Sequence, residues 1–192
     1  FTLLVDLLYR NLTAVSSSTE NFHMWTWNQW RHLVHPSGGL PYHWKASVYR
    51  HRYWGGFQKS LETFLKEWNP SSRSLLIIGS SAGYTLSSGY LSRFQDVVCA
   101  DPDPLSRLLF KKVHPSVRCQ WIAKDVLLHH GRLSLDGLKR QLATFNQHAV
   151  LFSNVLGQLP LSMRDFQDQA PSWIVQLSEI LEPLDWASYH DV

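Results

Sequence analysis

The chain has 192 residues, of which 44% are hydrophobic and 17% charged, enough apolar surface for one folded domain and too much for a disordered chain. Its formal net charge of +3 is mild, and no apolar run approaches the roughly 20 residues that cross a bilayer. Two cysteines, Cys99 and Cys119, lie in apolar strand-like runs; they form no disulfide framework and suit a reducing, cytoplasmic compartment.

The first residues, FTLLVDLLYRNLTAV, predict a helix. They lack a basic stretch before the apolar part, and Asp6 interrupts it, so they do not read as a signal peptide. Without a secretory signature, the sequon at Asn11-Leu12-Thr13 reads as coincidence. The polar run Ser16-Ser17-Ser18-Thr19-Glu20 follows. From Asn21 to Leu61 there is no Asp or Glu, while Arg31, Lys45, Arg50, Arg52 and Lys59 stand among Trp25, Trp27, Trp30, Trp44 and Trp54. Such a segment either contacts phosphates and stacked bases or forms an irregular layer whose tryptophans pack on the main domain. Residues 35–41 read as a loop by composition. From Gly56, Phe57, Leu61, Phe64, Leu65 and Trp68 fall on one helical face, and Asn69-Pro70 stops the helix. Residues 1–70 are thus an N-terminal helical, aromatic-rich extension.

From residue 71 to 192 strands and helices alternate. Apolar runs at Leu75–Ile78, Val97–Ala100, Cys119–Ala123 and Ala149–Ser153 are the strands. Between them Tyr84–Phe94, Pro104–Val113 and Leu135–Phe145 are amphipathic, with Asp103 as the cap of the second and Pro104 at its first position. A last helix covers Trp173–Leu181 and ends at Pro183. The alternation predicts an α/β fold, a doubly wound and mostly parallel sheet. Four clear strands are few for such a sheet, so Trp186–Val192 reads as a tail and the chain as truncated at its carboxyl end.

Chemistry concentrates at the strand ends. The first strand runs into Gly79-Ser80-Ser81-Ala82-Gly83 and a helix, where small residues admit a ligand and a helix N-terminus favours negative charge. The second ends at Asp101-Pro102, where a carboxylate can accept from ribose hydroxyls. The third leads to Asp125-Val126, and the fourth to Asn154 and the run up to Pro160.

This series, over about residues 70–160, resembles the class I S-adenosylmethionine-dependent methyltransferases. The resemblance implies S-adenosylmethionine as cofactor. Gly79, Ser80, Ser81 and Gly83 would lie under its methionine part, and Asp101 with Pro102 at the ribose. Asp125 with Val126 would meet the adenine, and Asn154 to Pro160 would line the methyl-transfer position. Two positions depart from the family pattern. Ile77 stands where an acid usually precedes the first glycine, and Ser80-Ser81 fill a turn that is usually richer in glycine.

A nicotinamide-binding turn requires G-x-G-x-x-G, and Ser81 replaces its central glycine. No Gly-Lys-Ser/Thr follows the turn, which excludes a P-loop, and no H-E-x-x-H or Cys/His cluster is present. His190, in the tail, is a candidate general base only if the tail reaches the pocket. The functional expectation is methyl transfer to an acceptor that stays open (small molecule, RNA or protein). The acceptor would enter between the fourth-strand loop and Tyr49, Arg50, His51, Arg52, Tyr53 and Trp54. The alternatives are a catalytically inactive methyltransferase-like binding or scaffold protein, and an RNA-binding protein. No membrane association is expected.

Overall fold

The computed structural model describes residues 39–144, 148–163 and 165–190. The helix expected over residues 1–20, with Trp25, Trp27, Trp30 and Arg31, lies outside them.

Helices α1 (Gly39–Tyr53) and α2 (Gly55–Glu67) lead into strand β1 (Ser74–Ile78). Next come α3 (Ser88–Leu91), β2 (Asp96–Ala100), α4 (Ser106–Val113) and β3 (Cys119–Ile122). A small hairpin of β4 (Leu128–His129) and β5 (Arg132–Leu133) precedes α5 (Asp136–Thr144) and β6 (His148–Ser153). A 3-10 turn at Leu156–Gln158, α6 (Leu159–Ser162), α7 (Phe166–Leu181) and β7 (Trp186–Tyr189) complete the described chain.

The main sheet has the order β3-β2-β1-β6-β7, and every pairing in it is parallel. Parallel strands covered on both faces read as continuous aliphatic runs, and β1, Ser-Leu-Leu-Ile-Ile, is one. Its alternate residues divide between two cores. Leu75 and Ile77 pack with Leu61 and Leu65 of α2, Tyr90 and Leu91 of α3 and Phe110 of α4. Leu76 and Ile78 pack on the other face with Leu138 of α5 and Trp173, Leu177 and Leu181 of α7. The fold is therefore α/β and doubly wound, as expected from the sequence. The strand order turns outward in opposite directions from β1 and β6, and ligands of such sheets bind at the carboxyl ends of the strands around that point.

Four local readings change. The tail is a fifth strand: β7 aligns its Trp186–Tyr189 with Val150–Ser153 of β6. Four residues with one apolar alternation are too short to separate from a loop by pattern alone. The helix expected over Tyr84–Phe94 shrinks to Ser88–Leu91, because Tyr84–Ser87 continues the glycine turn and Ser87 caps the helix by accepting from the Tyr90 N–H. The loop expected up to Pro41 gives way to helix at Gly39, where Pro41 falls in the first turn and removes a donor that has no intrahelical partner there. Helix α7 begins at Phe166, seven residues before Trp173, with Pro171 inside it at the cost of one backbone bond.

Candidate cofactor site at the carboxyl edge

Gly79 extends the β1–β2 ladder by one bond, its N–H donating to the Ala100 carbonyl at 2.9 Å, and then turns with φ +72°. A Cβ there would lie 2.8 Å from Cβ of Val155 and 3.1 Å from the Ser153 carbonyl. The glycine therefore lets the segment after β6 close onto the turn after β1. Gly83, at φ +66°, ends the turn, with its N–H donating to Ser80 O at 2.8 Å. A Cβ at Gly83 would stand 2.7 Å from Nε2 of His114, so this glycine serves packing. His114 donates from Nε2 to Gly83 O at 2.9 Å, which leaves Nδ1 to accept from the Ser88 hydroxyl at 2.8 Å. Burial holds the His114 imidazole below its usual pKa, against the opposing effect of that carbonyl.

Between the glycines, Ser81 sits in the left-handed region at φ 46°, and its N–H donates to Oδ2 of Asp101 at 2.7 Å. The other Asp101 oxygen accepts from the Asp103 N–H at 2.8 Å. One carboxylate thus ties the turn after β1 to the turn after β2. Burial pushes its pKa up to about 7, helped by the charges of Asp103 and Asp125 and opposed by the two amides. Pro102 is half-buried between the two acids. Beside them the Ser80 and Ser81 hydroxyls are buried without a hydrogen-bond partner, Ser80 having the Cys99 thiol near it as a weak one.

Asp125 caps its own turn, with Oδ1 accepting from the N–H groups of Leu127 and Leu128, both at 2.9 Å. Val126 points into the core on the α5 side. Asn154 takes φ 59° and donates its N–H to the Tyr189 carbonyl at 2.9 Å, which places it where β6 meets β7. Ile77 is a buried core residue. His190 is exposed and accepts at Nδ1 from the Gly157 N–H at 3.2 Å.

The edge also holds a group that sequence reasoning missed. Asp103 caps the turn that leads into α4 and not, as expected, the helix itself, which begins at Ser106 and leaves Pro104 outside: Oδ1 accepts from the Leu105 N–H at 2.9 Å and Oδ2 from the Ser106 hydroxyl at 3.1 Å. Its Oδ2 also accepts from the Gly39 N–H at 3.0 Å and from Nε2 of the fully buried His43 at 2.7 Å. Nδ1 of His43 meets the Tyr84 hydroxyl at 3.1 Å. Burial works to raise the Asp103 carboxyl, but the bond and charge of His43 with the Leu105 and Gly39 amides outweigh it and hold the pKa below the ordinary value. Tyr84 is pushed up to about 12, mainly by burial, although Arg50, whose Cζ lies 5.1 Å over its ring, pulls the other way. No sequence spacing links residue 43 to residue 103. The available signal was two histidines, His43 and His51, in an acid-free helix.

A cleft of about 450 Å³ opens to one side, between α2 and the segment after the glycine turn. Gln58, Glu62, Lys66, Thr85, Tyr90 and Arg93 are among its lining, and none of the expected cofactor residues is. Among the described residues no group of three His, Cys, Asp or Glu side chains is placed to hold a metal, and no helix is long and apolar enough to cross a membrane.

No protein-family model matches the chain, and no curated protein matches it in sequence. Among solved structures it is similar to the plantazolicin methyltransferase BpumL, determined in complex with a pentazolic desmethylPZN analog and SAH. The TM-score is 0.41 and the identity 17%, over 76% of this chain. This chain spans 55% of that one, about half its length.

Proposed function

We propose that the edge formed by Asp101, the Ser80-Ser81 turn and Asp125 binds the adenosyl part of S-adenosylmethionine, and that the chain is a methyltransferase domain. One observation carries this reading. The Ser81 hydroxyl is buried without a partner and that of Ser80 has only the weak Cys99 thiol, both beside a buried carboxylate at the end of β2, and orphaned buried polar atoms cost free energy unless a ligand or water meets them. Each Asp101 oxygen accepts one amide and has capacity for a further donor, which ribose hydroxyls supply. Asp125, close enough for its charge to raise Asp101, stands on the adenine side.

When bound, S-adenosylmethionine supplies an electrophilic methyl group. The protein's part is orientation and exclusion of water, with a base needed only for an acceptor that loses a proton. The segment from Asn154 to Pro160 lines the acceptor side in this reading.

A second reading is a methyltransferase-like binding or scaffold protein without turnover. Val155 favours it, because its side chain fills the space over Gly79 where the methionine part would lie. Calorimetric titration with S-adenosylmethionine, S-adenosylhomocysteine and adenosine separates the two. Tighter binding of the first two than of adenosine, lost in Asp101→Ala, supports the methyltransferase. Equal binding of all three, or no binding of any, sinks the methyltransferase reading and leaves the scaffold.

A further inference from the structure

Helix α1 has two unlike faces. His43 and Ala46 are buried against the domain and Arg50 lies on Tyr84. The opposite stripe carries Trp44, Lys45, Val48, Tyr49, Arg52 and Tyr53, all exposed. Tyr53 is 61% exposed and Trp44 and Tyr49 more than 40%, so three large aromatic rings spend apolar area on solvent along one line. Their spacing is regular: Trp44 and Tyr49 have centroids 6.4 Å apart, and Tyr49 and Tyr53 5.8 Å. The Arg52 guanidinium lies 5.4 Å from the Tyr53 ring. No acid occurs in α1, and the first in the chain after Glu20 is Glu62 in α2.

From these observations we infer that the outer face of α1 is a binding surface for single-stranded nucleic acid, with bases stacked on Tyr49, Tyr53 and Trp44 and phosphates paired to Lys45 and Arg52. Base-on-ring stacking accepts any sequence, because every base has a π face, and cations on the same stripe track the backbone. From Trp44 to Tyr53 the helix rises about 13 Å, which suits a short run of stacked bases. A duplex hides its base faces and would use only the two cations. A lipid surface fits less well, because Lys45 and Arg52 interrupt the stripe and Val48 is its one aliphatic residue, too little apolar area to insert below the headgroups. The inference does not depend on the cofactor reading.

The test is fluorescence anisotropy of a labelled twelve-nucleotide oligouridylate with the whole chain, from 50 to 300 mM KCl. Binding is expected to weaken with salt. The double variant Lys45→Gln/Arg52→Gln should flatten the log–log slope by about 1.4, at about 0.7 per lost phosphate contact. Tyr49→Ala and Tyr53→Ala should each weaken binding about tenfold with the slope unchanged, and Tyr49→Phe should restore it. All these side chains are exposed, so circular dichroism should show each variant folded. Absence of binding at 50 mM KCl overturns the inference. So does equal affinity for a duplex of the same length, indifference to both tyrosine variants, or binding to anionic phosphatidylglycerol vesicles without binding to the oligonucleotide.

Discussion

Replacing Asp101 with Asn should change the pH dependence of stability more than stability itself. The carboxyl goes from an ordinary value of 3.8 to about 7 on folding. Between those values the folded chain holds a proton that the unfolded chain has released, so stability falls as pH rises. The contribution is fully present below pH 4 and lost as pH passes 7. At about 1.4 kcal/mol per pH unit over about three units, the loss approaches 4 kcal/mol as an upper bound. Asn cannot titrate, so this loss disappears. It also presents one carbonyl where the carboxylate presents two oxygens, leaving either the Ser81 or the Asp103 N–H unmet. That deficit costs about 1–3 kcal/mol at every pH. The stability curves of the two proteins should therefore cross, with wild type the more stable near pH 4.5 and the variant level or ahead near pH 8. Urea unfolding followed by tryptophan fluorescence at half-unit steps of pH measures both curves. Groups that do not interact with Asp101, His114 among them, cancel in the difference. A difference that stays constant from pH 4.5 to 8 would refute the assignment of a buried, proton-holding Asp101.

Gly83→Ala should destabilise by about 2–4 kcal/mol, since it combines a left-handed backbone with a Cβ only 2.7 Å from His114 Nε2; chemical denaturation measures it. Ser81→Gly acts in the opposite direction, relieving a strained φ for a gain of up to about 1 kcal/mol in the same assay. Acidification below pH 4 should loosen α1, because the lowered pKa of Asp103 gives stability that is present above its ordinary value of 3.8 and lost as pH falls through the folded value. His43→Ala should reproduce this at neutral pH, at a cost of about 1.5–3 kcal/mol for the charge-assisted bond, with faster amide hydrogen exchange in α1 than in β1.

The residues that were legible in the sequence are those whose role is local. Leu75–Ile78 is an uninterrupted aliphatic run, and only a strand covered on both faces uses one. Gly79 and Gly83 mark a turn in any context, and Asp103 before Pro104 marks the approach to a helix that begins at Ser106. The place of Asp101 at the end of β2 was legible, but its partners were not, because the bond from the Ser81 N–H joins two turns that twenty residues of chain keep apart. The seal of His43 on Asp103 spans sixty residues and leaves no periodic trace. Trp186–Tyr189 failed for another reason. A short edge strand takes its identity from β6 beside it, and its own four residues carry too little pattern to declare it.

The sheet order also bears on how the molecule assembles. Ser74 on β1 meets Asp96 on one side and His148 on the other, so one half of the β1 ladder closes a short loop and the other a long one. Loop closure is entropically cheaper for the near partner, and topology of this kind slows folding. The β1–β2–β3 half, with the Asp101 tie between its turns, can therefore gather early. The far edge of β1 waits for β6, and with it for Val155 to seat on Gly79. Wherever β6 is undocked, the far edge of β1 presents a row of unpaired backbone groups, the kind of edge that pairs with another copy.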